Sequence, residues 1–119
     1  MQYMLLLYDD PSAAPAPDSP EAAADFERWM TVTQEMQDAG VMVGGEALLG
    51  AETATTVRVR EGDTLLSDGP FAETKEHLGG YYVLDVPDLD TACAWAAKLP
   101  NAPTGSIEVR PVMEIPAPT

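Results

Sequence analysis

The sequence predicts one α+β domain in which two helices lie against one face of a β-sheet. Three observations carry this. Apolar stretches of strand character alternate with two segments of helical period, in the order β–α–β–hairpin–β–α–β. Turn residues (Pro, Gly, Asp) punctuate the junctions between them. The length, 119 residues, suits a single core and a single domain spanning residues 1–119.

Residues 2–8 form an apolar run rich in Leu and Tyr, bounded by Asp9-Asp10, and read as a buried strand. Residues 9–19 hold Pro11, Pro15 and Pro17 and make a long, stiff connection. Asp18 or Ser19 caps the first helix, Pro20 suits its first turn, and Glu21 favours the positive end of its dipole. Ala22, Phe26, Trp29, Thr33 and Met36 fall on one helical face, and Gly40 supplies the stop. Val41 to Leu49 reads as a second strand, in which Gly44-Gly45 suggests a bulge or a close backbone approach. Thr55 to Arg60 is β-prone, Glu61-Gly62-Asp63 turns the chain, and Thr64-Leu65-Leu66 returns it as a hairpin arm. Gly80 to Val86 is the next strand. Asp88 caps a second helix whose buried stripe is Leu89, Ala92, Trp95, Ala96 and Leu99, with Cys93 beside that stripe as inert packing and Pro100 as the end. Gly105 to Val112 is the last strand, Ile107, Val109 and Pro111 alternating with Ser106, Glu108 and Arg110.

With the hairpin set aside, this order is the split βαβ arrangement, ferredoxin-like. Two helices cover only one face of such a sheet, and a solitary domain would be polar on the other. Here Tyr3, Leu5 and Leu7 are apolar, and so are Met4, Leu6 and Tyr8; Tyr81 and Val83 against Tyr82 and Leu84 repeat the pattern. Both faces of the central strands need cover. A second copy pressed sheet to sheet is the simplest one, closed twofold pairing being the commonest oligomer. A homodimer burying the helix-free face is therefore expected.

Charge narrows the partners. The chain carries 20 acidic and 6 basic residues, a net charge of −14. Nucleic-acid binding needs Lys and Arg to neutralise phosphates, and anionic membranes attract basic segments, so neither is expected. A single cysteine cannot make an intrachain disulfide and fits a reducing compartment. The apolar start is short, lacks a basic leader and runs into acids, so it reads as a strand and the location as cytoplasmic. One His and one Cys cannot build a zinc site of the usual N/S type, and neither a GxGxxG nor a Walker loop occurs. No metal and no cofactor is called for.

Chemistry concentrates between Asp68 and Tyr82. Asp68, ahead of Gly69-Pro70-Phe71, either caps a shaped turn through backbone N–H groups or serves as a general base, its pKa raised by burial beneath an aromatic. Glu73 and His77 stand four apart, so a helical turn there would let Glu73 orient the imidazole for proton transfer; an exposed surface pair is the alternative. Asp68, Glu73 and His77 are the candidate catalytic residues. Lys75 and Arg58, the latter on a strand face with Arg60, could hold an anionic ligand or merely pair with surplus acids. Glu46, after two glycines, and Tyr82, on an apolar wall, complete the candidate ligand-binding set.

Asp68-Gly69-Pro70-Phe71-Ala72-Glu73-Thr74-Lys75-Glu76 with Gly79-Gly80-Tyr81-Tyr82 resembles the signature of the DGPF-domain group of YCII-related proteins. Met4-Leu5-Leu6-Leu7-Tyr8, Gly44-Gly45-Glu46, Thr55-Thr56-Val57-Arg58, Asp85-Val86-Pro87-Asp88 and Glu108-Val109-Arg110-Pro111 are similar to the family layout, so the resemblance spans nearly the whole chain. It implies a dimeric α/β barrel, the ferredoxin-like pairing shared with small enzymes such as muconolactone isomerase. A His–Asp dyad with its His on the first helix is proposed for YCII-like relatives. The only His here is His77, outside that helix, so the dyad does not carry over. Two functions follow as expectations: an acid–base enzyme acting on a small molecule in the barrel cavity, or a non-catalytic ligand- or partner-binding module, linked through the family's gene neighbours to sigma-factor regulation.

Overall fold

A computed structural model describes residues 1–71 and 74–117. Its elements run β1 (Gln2–Asp9), α1 (Pro20–Asp38), β2 (Met42–Ala47), β3 (Thr55–Arg60), β4 (Asp63–Asp68), β5 (His77–Asp85), α2 (Leu89–Ala97) and β6 (Ser106–Pro111). Four strands form one sheet in the order β2-β5-β1-β6, and every pairing in it is antiparallel. β5 lies between β1 and β2, and β1 lies between β5 and β6. Each β–α–β half thus admits one strand of the other. This is the ferredoxin-like interleave, and it sets both helices on the same face.

Local chemistry fixes the helix ends. Ser19 Oγ accepts from Ala22 N at 3.1 Å, with Pro20 in the first turn, so one orphan amide of α1 is satisfied and the missing proline N–H costs nothing. Gly40, at φ 72°, lets the chain leave α1 in a left-handed turn. Asp88 Oδ1 accepts from Thr91 N at 2.8 Å and from Thr91 Oγ1 at 2.7 Å, which starts α2.

Period-2 alternation sends Tyr3, Leu5 and Leu7 of β1 and Tyr82 and Leu84 of β5 to the helix face, where Val32, Met36, Ala92, Ala96 and Leu99 meet them. Leu5, Met36 and Leu84 are fully inaccessible. Burying each such side chain contributes about 1.5–3 kcal/mol. Both helices pack on this face, so Met4, Leu6, Tyr8, Tyr81 and Val83 on the opposite face remain half-exposed.

Several elements differ from expectation. β5 begins at His77, three residues before Gly80, so His77 is a strand residue and not the end of a helical turn. α1 buries Val32 and Met36 at its C-terminal half, while Phe26 is 65% exposed, because the N-terminal half of α1 stands off the sheet over a cavity. Cys93 is exposed rather than packed: α2 buries Ala92 and Ala96, and one residue further turns a side chain about 100° away. No helix among the described residues is long and apolar enough to cross a membrane.

Among the described residues, β3 and β4 pair with each other and with no other strand. They project as an arm closed at its base by Gly69 N donating to Ala54 O at 2.7 Å. The radius of gyration is 16.6 Å for 119 residues, against about 13.5 Å for a compact domain of that length.

Candidate acid–base site

The alternation of β1 continues past Leu7. Asp9 shares the parity of Tyr3, Leu5 and Leu7, so an acid closes the row that builds the core. The β1–β5 ladder shifts register there: Leu7 pairs with Gly80, Tyr8 with Leu78 and Asp9 with His77. Gly79 is the extra residue of this bulge. Without it, the row Leu84, Tyr82, Gly80 would carry Leu78 to the helix face and send His77 away. Paired residues share a face, so the bulge brings His77 beside Asp9. Gly105 approaches from the other side, close enough that a Cβ would run into the Tyr8 carbonyl oxygen and the Asp9 carboxylate.

Two cavities meet at this point. The first, of about 480 Å³, is lined by Asp9, Asp10, Asp25, Arg28, His77 and Asn101 among others. The second, of about 430 Å³, is lined by Phe26, Trp29, Met30, Glu46, Tyr82 and their neighbours. Asp9, Trp29 and Gly79 belong to both walls. One cavity is acidic and the other mostly apolar, with Asp9 at the junction.

Burial, the largest influence, raises the Asp9 carboxyl above its ordinary pKa; the Asn101 amide opposes this, and the negative charges of Asp25 and Glu76 reinforce it. Asp10 behaves oppositely. The Ser12 hydroxyl and then the Ser12 backbone N–H donate to it, at 2.7 and 2.9 Å, and hold its pKa below the usual value. Asn101, 5% exposed, donates through Nδ2 to Tyr8 O at 3.4 Å, while its buried Oδ1 has no partner among the described residues. A buried carbonyl without a donor is costly; Asn101 lines the first cavity, with its Oδ1 itself enclosed.

The cations nearby are engaged. Arg28 lies 3.5 Å from Asp25, and Lys75 lies 3.9 Å from Asp10. The first cavity therefore presents Asp9, Asp10, Glu21 and Asp25 against Arg28 alone, with His77 beside them.

The candidate residues from the sequence divide. His77 lines the first cavity; Glu46 and Tyr82 line the second. The Tyr82 hydroxyl shares a 2.7 Å hydrogen bond with Thr33 Oγ1, joining β5 to α1 across the cavity floor. Lys75 reaches only the rim, through Asp10. Asp68 ends β4, exposed, and Arg58 is half-buried on β3; neither is among the described residues lining either cavity. The turn after Asp68 is held by Gly69 N to Ala54 O and by Thr56 Oγ1 to Gly69 O at 2.8 Å. Glu73 lies outside the described residues. Sequence reasoning missed Asp9, taken as a turn residue although its parity announced it. It also missed Asn101, whose irregular loop gives no periodic signal.

The model of the YCII-related domain matches residues 1–116. The chain belongs to the YCII-related family. Its relatives include an uncharacterized protein of Rhizobium meliloti (strain 1021), 39% identical over 114 residues, a match covering 94% of this chain and 92% of that protein. Among solved structures it is similar to 5-chloro-2-hydroxyhydroquinone dehydrochlorinase (TftG) from Burkholderia phenoliruptrix AC1100 in complex with 2,5-dihydroxybenzoquinone. The TM-score is 0.54 at 13% identity, with 95% of this chain and 94% of that one covered. At that identity the likeness shows the fold: this YCII-related chain and an enzyme share the ferredoxin-like frame.

Proposed function

We propose that this YCII-related protein is an acid–base enzyme acting on a small molecule, and that it works as a homodimer. The observation that carries the reading is Asp9, a carboxyl of raised pKa at the junction of an acidic and an apolar cavity. A carboxyl whose pKa moves toward neutrality serves as donor in one form and acceptor in the other. His77, paired with Asp9 across the bulge, is the second group within reach of the same space. This reading sets the site between α1 and the sheet, on the helix side, and gives the proton to Asp9 in place of Asp68.

The walls select the substrate class. Asp9, Asp10, Glu21 and Asp25 repel anions, and the nearest cations are already paired. Phe26, Trp29, Met30 and Tyr82 take an apolar body. A neutral ring meets both demands, and hydroxyls on it can donate to the carboxylates of Asp9 and Asp25 in the cavity wall. TftG, on the same fold, is a dehydrochlorinase in complex with a hydroxylated quinone; by analogy only, this supports a hydroxylated ring, while the neutral charge is argued from the acidic wall of this chain. The homodimer is supported by the half-exposed apolar row Met4, Leu6, Tyr8, Tyr81 and Val83.

The test is proton exchange. Neutral hydroquinones are incubated with the protein in D2O, with the acidic 2,5-dihydroxybenzoquinone as the anionic contrast, and loss of ring C–H signal is followed by NMR. Asp9→Asn should slow enzyme-dependent exchange on the order of 100-fold or more, the usual size of a general acid–base contribution, while leaving the fold intact. Exchange at the wild-type rate in Asp9→Asn removes Asp9 from the chemistry.

A further inference from the structure

The β3–β4 arm leaves one apolar face bare. Its register pairs Val57 with Leu66 and Val59 with Thr64, so these side chains and Thr55 share one face of the ribbon. Val57 is 59%, Val59 60% and Leu66 68% exposed. An isolated two-stranded ribbon is marginal at best in water, so an arm that stays formed needs something to lie against.

We infer that the arm is a clasp: Val57, Val59 and Leu66 of one copy pack against a second copy, widening the contact made by the helix-free sheet face. The inference rests on the homodimer reading. Two arguments select a second copy as the occupant. The first is area. A stable interface buries about 800 Å² of accessible surface on each partner. Met4, Leu6, Tyr8, Tyr81 and Val83 of the sheet face are already partly covered within the chain, whereas Val57, Val59 and Leu66 are each more than half exposed, so the arm adds a large share of the apolar surface open to a partner. The second is charge. A copy carrying −14 repels another at every charged surface. Among the described residues, the central row of the sheet face and the arm row Val57, Val59, Leu66, Thr55, Thr64 carry no charge, with Asp68 only at the arm's end. The edge strands set Glu46 beside Tyr81, and Glu108 and Arg110 beside Leu6 and Met4, so the neutral strip of the sheet is two strands wide and the arm is the other neutral ribbon. Identical acidic copies meet where both are neutral.

Sedimentation velocity across a concentration series tests this with two variants. The first is Val57→Asp with Leu66→Asp. The second excises residues 55–68 and joins the chain with two glycines, a closure the contact of Gly69 N with Ala54 O permits. Wild type should be a dimer at micromolar concentration. Both variants should keep the wild-type far-UV spectrum of the body and dissociate with a Kd raised on the order of 100-fold or more, the range for losing central apolar contacts. A wild-type dimer whose Kd neither variant changes overturns the clasp and leaves the homodimer standing. A wild-type monomer overturns both.

Discussion

The body and the arm of this chain follow the same β rules and reach different ends. In the body, each strand row that faces the helices is covered: Leu5 and Leu84 have no accessible surface. In the arm the same alternation of apolar and polar residues produces Val57, Val59 and Leu66, each more than half exposed. Alternation says which residues share a face and nothing about whether a partner for that face exists within the chain. Within one chain the body is stabilised by its own packing, the arm by its turn, its ladder and the hydrogen bonds at its base.

Truncation should separate the two regions most sharply. Leu84→Ala, in the centre of the body, should cost about 2–5 kcal/mol, the range for opening a core cavity. Leu66→Ala should change the stability of the monomer by less than about 0.5 kcal/mol, as surface substitutions do. Urea midpoints measured at low protein concentration read both. Equal losses at the two sites would mean that the arm is packed on its own body, and the contrast would be gone.

Glycines draw the next distinction. A Cβ on Gly80 would stand 2.7 Å from Glu46 O, on the neighbouring strand, so Gly80→Ala must push β2 from β5. Overpacking of that kind costs about 1–3 kcal/mol. Gly62 in the arm turn meets nothing within 4 Å but holds φ at 82°. There alanine costs about 1 kcal/mol of backbone strain, felt by the arm and not by the body. Thermal melts should show Gly80→Ala lowering Tm and Gly62→Ala leaving it almost unchanged, while amide exchange in residues 55–68 quickens in the latter. The reverse pattern would transfer the arm into the cooperative unit.

The fold was legible in the sequence because its signals are local. Ser19, Gly40 and Asp88 mark helix ends by chemistry that acts within four residues, and the β1 and β5 rows show their period directly. The site was less legible because it depends on a register shift. His77 reaches Asp9 only because Gly79 is an unpaired residue opposite Leu7 and Tyr8, and a bulge is a property of two strands at once. Asp68-Gly69-Pro70-Phe71 has residue types that suit both a turn and a proton-transfer group, and sequence does not say on which side of a hairpin base Asp68 stands. Asp9 was readable by parity alone, had the count from Tyr3 been carried two residues beyond Leu7.

Within the body, the cavity floor offers a finer comparison. Tyr82→Phe removes the 2.7 Å bond to Thr33 and leaves a half-buried hydroxyl to find water. The expected loss is about 1 kcal/mol. Ser19→Ala removes the N-cap of α1 and should cost a similar amount, about 1 kcal/mol. The two differ in reach: the tyrosine variant should also alter ligand affinity in the second cavity, and the cap variant should not. Calorimetric titration with a neutral hydroxylated ring separates them, and matching affinities in both variants would place the ligand away from Tyr82.

The smallest effect is also the one that isolates Asp9. Its pKa is raised in the folded chain, so the fold binds this proton more tightly than the unfolded chain does. Its contribution is therefore fully present below the ordinary carboxyl value of 3.8 and is lost as pH rises through the raised folded value, then level. Asp10 and Asp88, whose pKa values are lowered chiefly by the hydroxyls of Ser12 and Thr91, act with the opposite sign. Their contribution is present above 3.8 and disappears as pH falls through their folded values. Asp9→Asn keeps a neutral polar group where the protonated acid stands. It should match wild type below pH 3.8 and be the more stable of the two at pH 7.5, since it alone escapes the burial of a carboxylate. Asp88→Ala should instead lose stability relative to wild type at pH 7.5, by a margin that narrows in acid. If urea midpoints show Asp9→Asn weaker than wild type at pH 7.5 and equal in acid, the Asp9 carboxylate is a stabilising ion in the fold, and a group so held is a poor proton donor.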